Sequence, residues 1–223
     1  VPGDSAKIVA IPATSPDVIA VGGYTSRNRW SPHSLSTMSQ VGYSLGDILD
    51  FSSAGPSADP QRTGQKPEIT APGGMVASAL ASNLSPDKRL IVDDGQHVLQ
   101  AGTSMAAPFV TGAIALMLSA NPDFTHADAR RYLTEGAYVD EFVGETVPND
   151  RWGFGKLDIL KAVELAIAGG PSGSFNANDS LKAPAEGASG GSSCALSPAG
   201  GGSGMSIIIG LMGILPIWIG RRK

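Results

Sequence analysis

Three kinds of apolar pattern succeed one another along the chain. In the first part, short uninterrupted apolar runs stop at turn residues. Ala6–Ala13 (AKIVAIPA) closes on Pro12, and Asp17–Thr25 (DVIAVGGYT) is β-branched and punctuated by Gly22 and Gly23. Strands with no polar alternation are what central parallel strands look like, covered on both faces. Asp47–Pro56 and Pro67–Gly74 read as further short strands ending in turn chemistry, and His97–Ser104 as a strand running into a turn at Gly102. The period then changes. Ala106–Ala120 is apolar nearly all round and predicts a central buried helix. The "NPDF" of residues 121–124 ends it, and Thr125 with Asp128 forms a capping-box-like start, Asp replacing Glu, to a second helix. A Gly-punctuated turn from Trp152 leads to an amphipathic third helix over Leu157–Ala168. Buried strands followed by helices predict an α/β layer architecture.

The third pattern is the tail. Gly169–Gly204 is mostly Gly, Ser, Ala and Pro, a composition that cannot bury enough surface to offset its ordering entropy, and it reads as a flexible linker. Met205–Gly220 is an uncharged apolar run of 16 residues, followed by Arg221, Arg222 and Lys223. The expected organisation is therefore a folded unit over 1–168, a linker over 169–204, a transmembrane or sorting helix over 205–220 and a basic cytoplasmic tip over 221–223. A span takes about 20 apolar residues, about 17 at the short end. The preceding linker, the basic end and the lack of amphipathic charge nevertheless favour a membrane role over an interfacial or buried segment. Positive-inside logic then puts the folded unit outside the cell.

Composition narrows the partners. Sixteen basic against 20 acidic residues give a net charge of −4, which argues against a nucleic-acid footprint. A single cysteine, Cys194, excludes an internal disulfide framework. Val1 follows neither an initiator methionine nor a secretory signal, so the chain reads as starting inside a longer one.

Chemistry concentrates at Ser104. A serine at the mouth of a helix has a backbone N–H that points outward unpaired, beside the positive end of the dipole. That N–H suits an oxyanion-hole donor. Gly102 allows the sharp turn, and Ala106 and Ala107 leave room above it. On composition alone, an ordinary helix-capping serine is the simpler reading. The G-x-S-x-G elbow of α/β-hydrolases does not fit, because residue 106 is alanine and the only later histidine is His126.

The motifs around that serine alter the balance. "GTSMAAPFVTGAIALML" (102–118) closely resembles the nucleophile segment of the subtilisin-like serine proteases. "PATSPDVIAVGGYT" (12–25), "FSSAGPSADPQRTGQKPEITAPGG" (51–74) and "WGFGKLDILKAV" (152–163) resemble three further segments of that family, in its order and spacing. The resemblance implies a doubly wound, mostly parallel sheet with helices on both faces, and a serine endopeptidase acting by acyl transfer. Ser104 maps onto its nucleophile. By the same resemblance, Ala10, Ile11, Pro12 and Ala13, with Gly102 and Thr103, would line the primary specificity pocket for a protein or peptide substrate. The family motif also has proline where this chain has Pro108, placed here in the first turn after Ser104, where its missing N–H costs little. No cofactor is implied. The family allows calcium, but no ligand set for it is identifiable in these residues, and no metal site is assigned.

The base is missing. Serine needs a general base within reach, oriented by a carboxylate. His33 follows a polar "RWSP" loop, His97 lies on a strand that carries it away from Ser104, and His126 starts a helix beyond the buried one. All three read as surface residues. In the subtilisin order the aspartate, the histidine and the oxyanion asparagine precede the serine. All three would lie upstream of Val1, so this chain alone is expected to be inactive, with exposed sheet edges and poor folding. A surface-displayed, non-catalytic binding module on the same scaffold is the alternative. The tail resembles tripartite bacterial C-terminal sorting signals. Cys194 is then either a processing site or an incidental linker thiol, and the protein is expected to be exported and anchored to the cell envelope.

Overall fold

The computed structural model describes residues 7–33, 36–39, 42–59 and 64–169. Its centre is a parallel pair, β1 (Val21–Thr25) and β4 (Ile69–Gly74), in register from Val21 opposite Ile69 to Tyr24 opposite Pro72. Both strands are largely buried, as their unbroken apolar runs require. Two antiparallel pairs lie outside it: β2 (Arg29–Trp30) with β3 (Met38–Ser39), and β5 (Val76–Ala79) with β6 (His97–Gln100). The sheet is thus narrower than the expected mostly parallel one, since only one of the three described pairs is parallel.

Two predicted strands are absent. Among the described residues of that first run, 7–13, only Lys7 and Ile8 donate backbone bonds, to Gly55 (3.1 Å) and Ala54 (3.0 Å), before turns take over. Pro12 and Pro16 have no N–H to extend a ladder. Asp47–Pro56 is a chain of turns that closes the carboxyl half of the β1 edge. Thr25 donates to Asp47 (2.8 Å), Gly46 to Thr25 (2.8 Å) and Leu49 to Gly23 (3.0 Å). The outer side of β4 is met by the turn after Trp152, with Thr70 donating to Gly155 (2.9 Å) and Leu157 to Thr70 (2.8 Å). The expected bare edges are therefore partly covered within the chain.

Three helices complete the layer: α1 (Thr103–Ala120), α2 (His126–Glu135) and α3 (Ile159–Ala168). α1 packs on β1, β4 and α3, and α3 also packs on α2. The shared core holds Ile69 and Ala71 of β4, Ala106, Val110, Ala113 and Met117 of α1, Tyr132 and Leu133 of α2, and Ala162 and Ala166 of α3. The alanines let helix backbones approach closely, while each large side chain contributes about 1.5–3 kcal/mol by leaving water. α2 opens with the predicted box, the Thr125 hydroxyl accepting from the Asp128 N–H (3.2 Å) and the Asp128 carboxylate accepting from the Thr125 N–H (3.0 Å). Asp158 caps α3 by accepting from the Lys161 N–H (2.9 Å). Gly153 adopts φ 60°, and a Cβ there would lie 2.4 Å from the carbonyl oxygens of Pro67 and Glu68, so only glycine fits.

α1 departs from expectation twice. It begins at Thr103, so Pro108 is its sixth residue and stands inside the helix rather than in the first turn. The helical donor to the Ser104 carbonyl is therefore missing. Second, α1 is not buried all round: Ser104, Pro108, Gly112, Ala115, Leu116 and Ser119 are exposed.

Candidate active site

The carboxyl ends of β1 and β4 position the serine turn. Open parallel sheets present ligand sites at that end of their strands. Glycines make the approach close. A Cβ on Gly73 would lie 3.1 Å from the Gly102 carbonyl oxygen and 3.1 Å from the Gly23 Cα, and one on Gly23 would lie 3.6 Å from the Thr103 methyl. Across this contact the Gly102 N–H donates to the Gly73 carbonyl (2.8 Å), tying the turn to β4. Gly102 is the N-cap of α1 and has no side chain to cap it. Ser104, the second helical residue, has no carbonyl one turn below for its N–H. Its side chain is exposed, and its hydroxyl makes no hydrogen bond among the described residues. A free hydroxyl and a free N–H thus share the positive end of an 18-residue helix.

The other predicted site residues make no hydrogen bond to that turn among the described residues. Gly102, Thr103 and Ser104 are together by contiguity. Ala10, Ile11 and Pro12 lie in an exposed loop, Ile11 being 75% exposed, and no backbone hydrogen bond joins that loop to the serine turn. Cys194 and Met205–Gly220 lie outside the described residues.

Each histidine is engaged elsewhere. The His33 Nδ1 is 2.8 Å from the Asp93 carbonyl oxygen. The His97 Nδ1 is 2.6 Å from an Asp94 carboxylate oxygen at the far end of β6. His126 opens α2 beside Pro16, Arg130 and Phe154. Among the described residues, then, a nucleophile-type serine stands without an imidazole partner, and no group of three His, Cys, Asp or Glu is placed to hold a metal.

At the opposite, amino end of the same two strands lies a buried ion cluster that the sequence reading missed. The Lys66 ammonium donates to Glu68 (2.7 Å) and to the Val18 carbonyl (2.5 Å), and the second Glu68 oxygen accepts from the Ala20 N–H (2.7 Å). Arg130 of α2 adds its guanidinium 3.5 Å from Glu68 and donates to the Pro16 and Val18 carbonyls. Lys66 and Glu68 are 4% and 3% exposed, so both are out of water. Burial pushes the Glu68 carboxyl above its usual range against the pull of Lys66, the Ala20 N–H and Arg130. Burial likewise lowers the Lys66 ammonium, against Glu68. The available signal was the pair of opposite charges flanking Pro67 at the start of an otherwise apolar strand. A third cation, Lys156, bonds Asp140 (2.5 Å) and lies 5.0–5.2 Å from the ring centres of Tyr24, Phe142 and Trp152, fastening the Gly153–Gly155 turn to the end of β1.

Comparison with known proteins places this geometry. A family model described as the subtilase family, Peptidase_S8, matches residues 2–155. The chain is 31% identical to the subtilisin-like protease SBT1.5 of Arabidopsis thaliana, over 70% of this chain and 23% of that protein. It is 32% identical to the serine protease AprX of Bacillus subtilis, over 60% of this chain and 28% of that protein. Among solved structures it is similar to the CspB protease of Clostridium perfringens. There the TM-score is 0.52 at 28% identity, covering 73% of this chain and 29% of that one. The chain thus spans about a quarter of the length of these relatives.

Proposed function

The chain belongs to the subtilase family and has its subtilisin-like α/β fold, and from that premise we propose that it is the nucleophile-bearing part of a serine endopeptidase. Ser104 attacks the peptide carbonyl, and its own N–H donates to the oxyanion that develops in the tetrahedral intermediate. The Ser104 hydroxyl proton passes to a histidine outside these 223 residues, because each of the three within them is placed among other residues. The observation that carries this reading is the pairing of a free hydroxyl with a free N–H at the exposed N-terminus of α1. A helix-capping serine would instead turn its oxygen back onto its own first turn.

Substrate would be protein or peptide, with its P1 side chain along Ala10–Ala13 and the Gly102–Thr103 turn. Export and anchoring through Met205–Gly220, with Cys194 as a processing position, complete the proposal and rest on sequence pattern alone. The alternative, a displayed module that binds without cleaving, draws on the same missing imidazole.

A fluorophosphonate probe separates the two readings. Ser104 in the chain alone is expected to stay unmodified. Once a polypeptide carrying the family's aspartate, histidine and asparagine segments completes the site, mass spectrometry should find one adduct, on Ser104. A completed assembly with no Ser104 adduct would leave the binding module standing.

A further inference from the structure

The floor beneath the serine turn has no side chains of its own. Gly23 of β1 meets Gly73 and Gly74 of β4 there, and glycines inside strands mark places where something else approaches closely. One side chain fills the space they vacate. A Cβ on Gly73 would lie 3.1 Å from the Gly102 carbonyl oxygen and 3.2 Å from the Leu49 Cδ1. A Cβ on Gly23 would lie 3.6 Å from the Thr103 methyl and 3.3 Å from the same Cδ1. The other methyl, Leu49 Cδ2, is 3.4 Å from the Cβ position of Gly74. Leu49 is 1% exposed, yet it does not belong to the core that β4 shares with the three helices. Its burial is against the glycines that carry the serine turn.

Leu49 comes from a turn, and that turn grips Gly23 at both of its polar groups. The Leu49 N–H donates to the Gly23 carbonyl (3.0 Å), and the Gly23 N–H donates to the Ser52 hydroxyl oxygen (3.0 Å). The Ser52 N–H closes the turn on the Leu49 carbonyl (2.9 Å), and Ser52 is equally buried. The serine turn is held far more lightly. Among the described residues one hydrogen bond, from the Gly102 N–H to the Gly73 carbonyl (2.8 Å), ties residues 102–104 to anything outside α1. Where that turn sits therefore depends on what stands behind Gly23 and Gly73. We infer that Leu49 is a positioning residue for the nucleophile. Its two methyls brace the three glycines, and through them fix Gly102 and Thr103, and with these the Ser104 oxygen. The catalytic consequence rests on the protease reading above. A misplacement of about 1 Å at a reacting centre costs about a hundredfold in rate.

The test measures native-state amide exchange in the full 223-residue chain and in the assembly completed with the family's aspartate, histidine and asparagine segments. The amides of Gly102 and Met105 are bonded to the Gly73 and Gly102 carbonyls. In Leu49→Ala they are expected to exchange at least about tenfold faster relative to the Leu133 amide of α2, which follows the stability of the whole fold. Met117→Ala also empties a buried position, about 20 Å along α1 from Ser104, and should leave that ratio within about threefold. Leu49→Met, which conserves volume, should restore it. Should Leu49→Ala not fold, Leu49→Val replaces it, with about threefold expected. In the completed assembly, saturating fluorophosphonate should acylate Ser104 at least about tenfold more slowly in Leu49→Ala, with half-saturation within about threefold of the parent. Met117→Ala should label as the parent does.

An unchanged exchange ratio in the Leu49 variants would overturn the assignment. So would an equal change in Met117→Ala, failure of Leu49→Met to restore the parent values, or a loosened turn that labels at the parent rate. A parent assembly that gives no Ser104 adduct, with the exchange ratio moved by Leu49→Ala alone, would sink the protease reading and leave Leu49 as the brace of the turn.

Discussion

At the amino end of β1 and β4 the chain buries two opposite charges and draws a third against them; at the carboxyl end of the same strands the turn that carries Ser104 holds no charged side chain and leaves the serine in the open. The first end is held by side chains. Lys66, Glu68 and Arg130 reach backbone groups at Pro16, Val18 and Ala20, so the segment entering β1 is tied to β4 and α2 together. The second end is held by glycine backbone at van der Waals distance and by one main-chain bond from Gly102 to Gly73. Anchoring by side chains uses up their polar atoms, whereas anchoring by backbone leaves the local side chain free to react. The difference is the one expected between a structural and a reactive end.

The largest test strikes the charged end. Glu68→Ala strands a buried Lys66 ammonium and should cost about 3–5 kcal/mol in urea unfolding. Replacing the pair together, Lys66→Met with Glu68→Leu, should recover more than half of that loss, because buried ion pairs are about neutral against apolar substitutes. If the double variant is as unstable as the single one, the cluster contributes more than its desolvation removes.

At the glycine end, Gly73→Ala presses a methyl against the Gly102 carbonyl and the Gly23 backbone. The expected loss is about 1–3 kcal/mol. Amide exchange should also rise at Gly102 and Thr103, where the turn is pushed off β4. An unaltered turn would show that the close approach is not what holds the serine.

A smaller effect belongs to neither end and calibrates the scale. Thr125→Ala removes one side of the α2 box and should cost about 1 kcal/mol. The Thr125 hydroxyl and N–H, with Arg131, hold the Asp128 carboxyl at about 2. That value lies below the ordinary 3.8, so the contribution is complete above that pH and fades as pH falls towards 2. The stability gap between the native chain and Asp128→Asn should therefore close on acidification, as read by helix content. The smallest change is Ser104→Ala, expected within about 0.5 kcal/mol because the hydroxyl is exposed and makes no hydrogen bond among the described residues. A larger loss would return Ser104 to a structural role.

Much of this was legible in the sequence. The apolar runs located β1, β4 and all three helices, and Thr125 with Asp128 marked a boundary that the structure keeps. Ser104 was singled out by the resemblance of its G-T-S-M-A segment to the subtilisin-like proteases; its local features alone, a glycine turn, a hydroxyl and small residues, fit a helix-capping serine equally simply. Pairing partners were not legible. The runs at Ala6–Ala13 and Asp47–Pro56 have strand composition, yet prolines and turns make them loop segments bonded to one another and to β1. Nor did the sequence reveal that Arg130 meets Lys66 and Glu68, about sixty residues away along the chain. Such a contact exists only once α2 lies across the start of β4.

What the sequence determined by itself was therefore local: periodicity, caps, and a serine with free polar groups at the mouth of an apolar helix. Tertiary structure alone decided which side of that helix is covered. α1 is apolar around its whole circumference, so its composition cannot distinguish a buried face from an open one. Only the packing of β1, β4 and α3 along one side leaves the opposite side, which carries Ser104, bare.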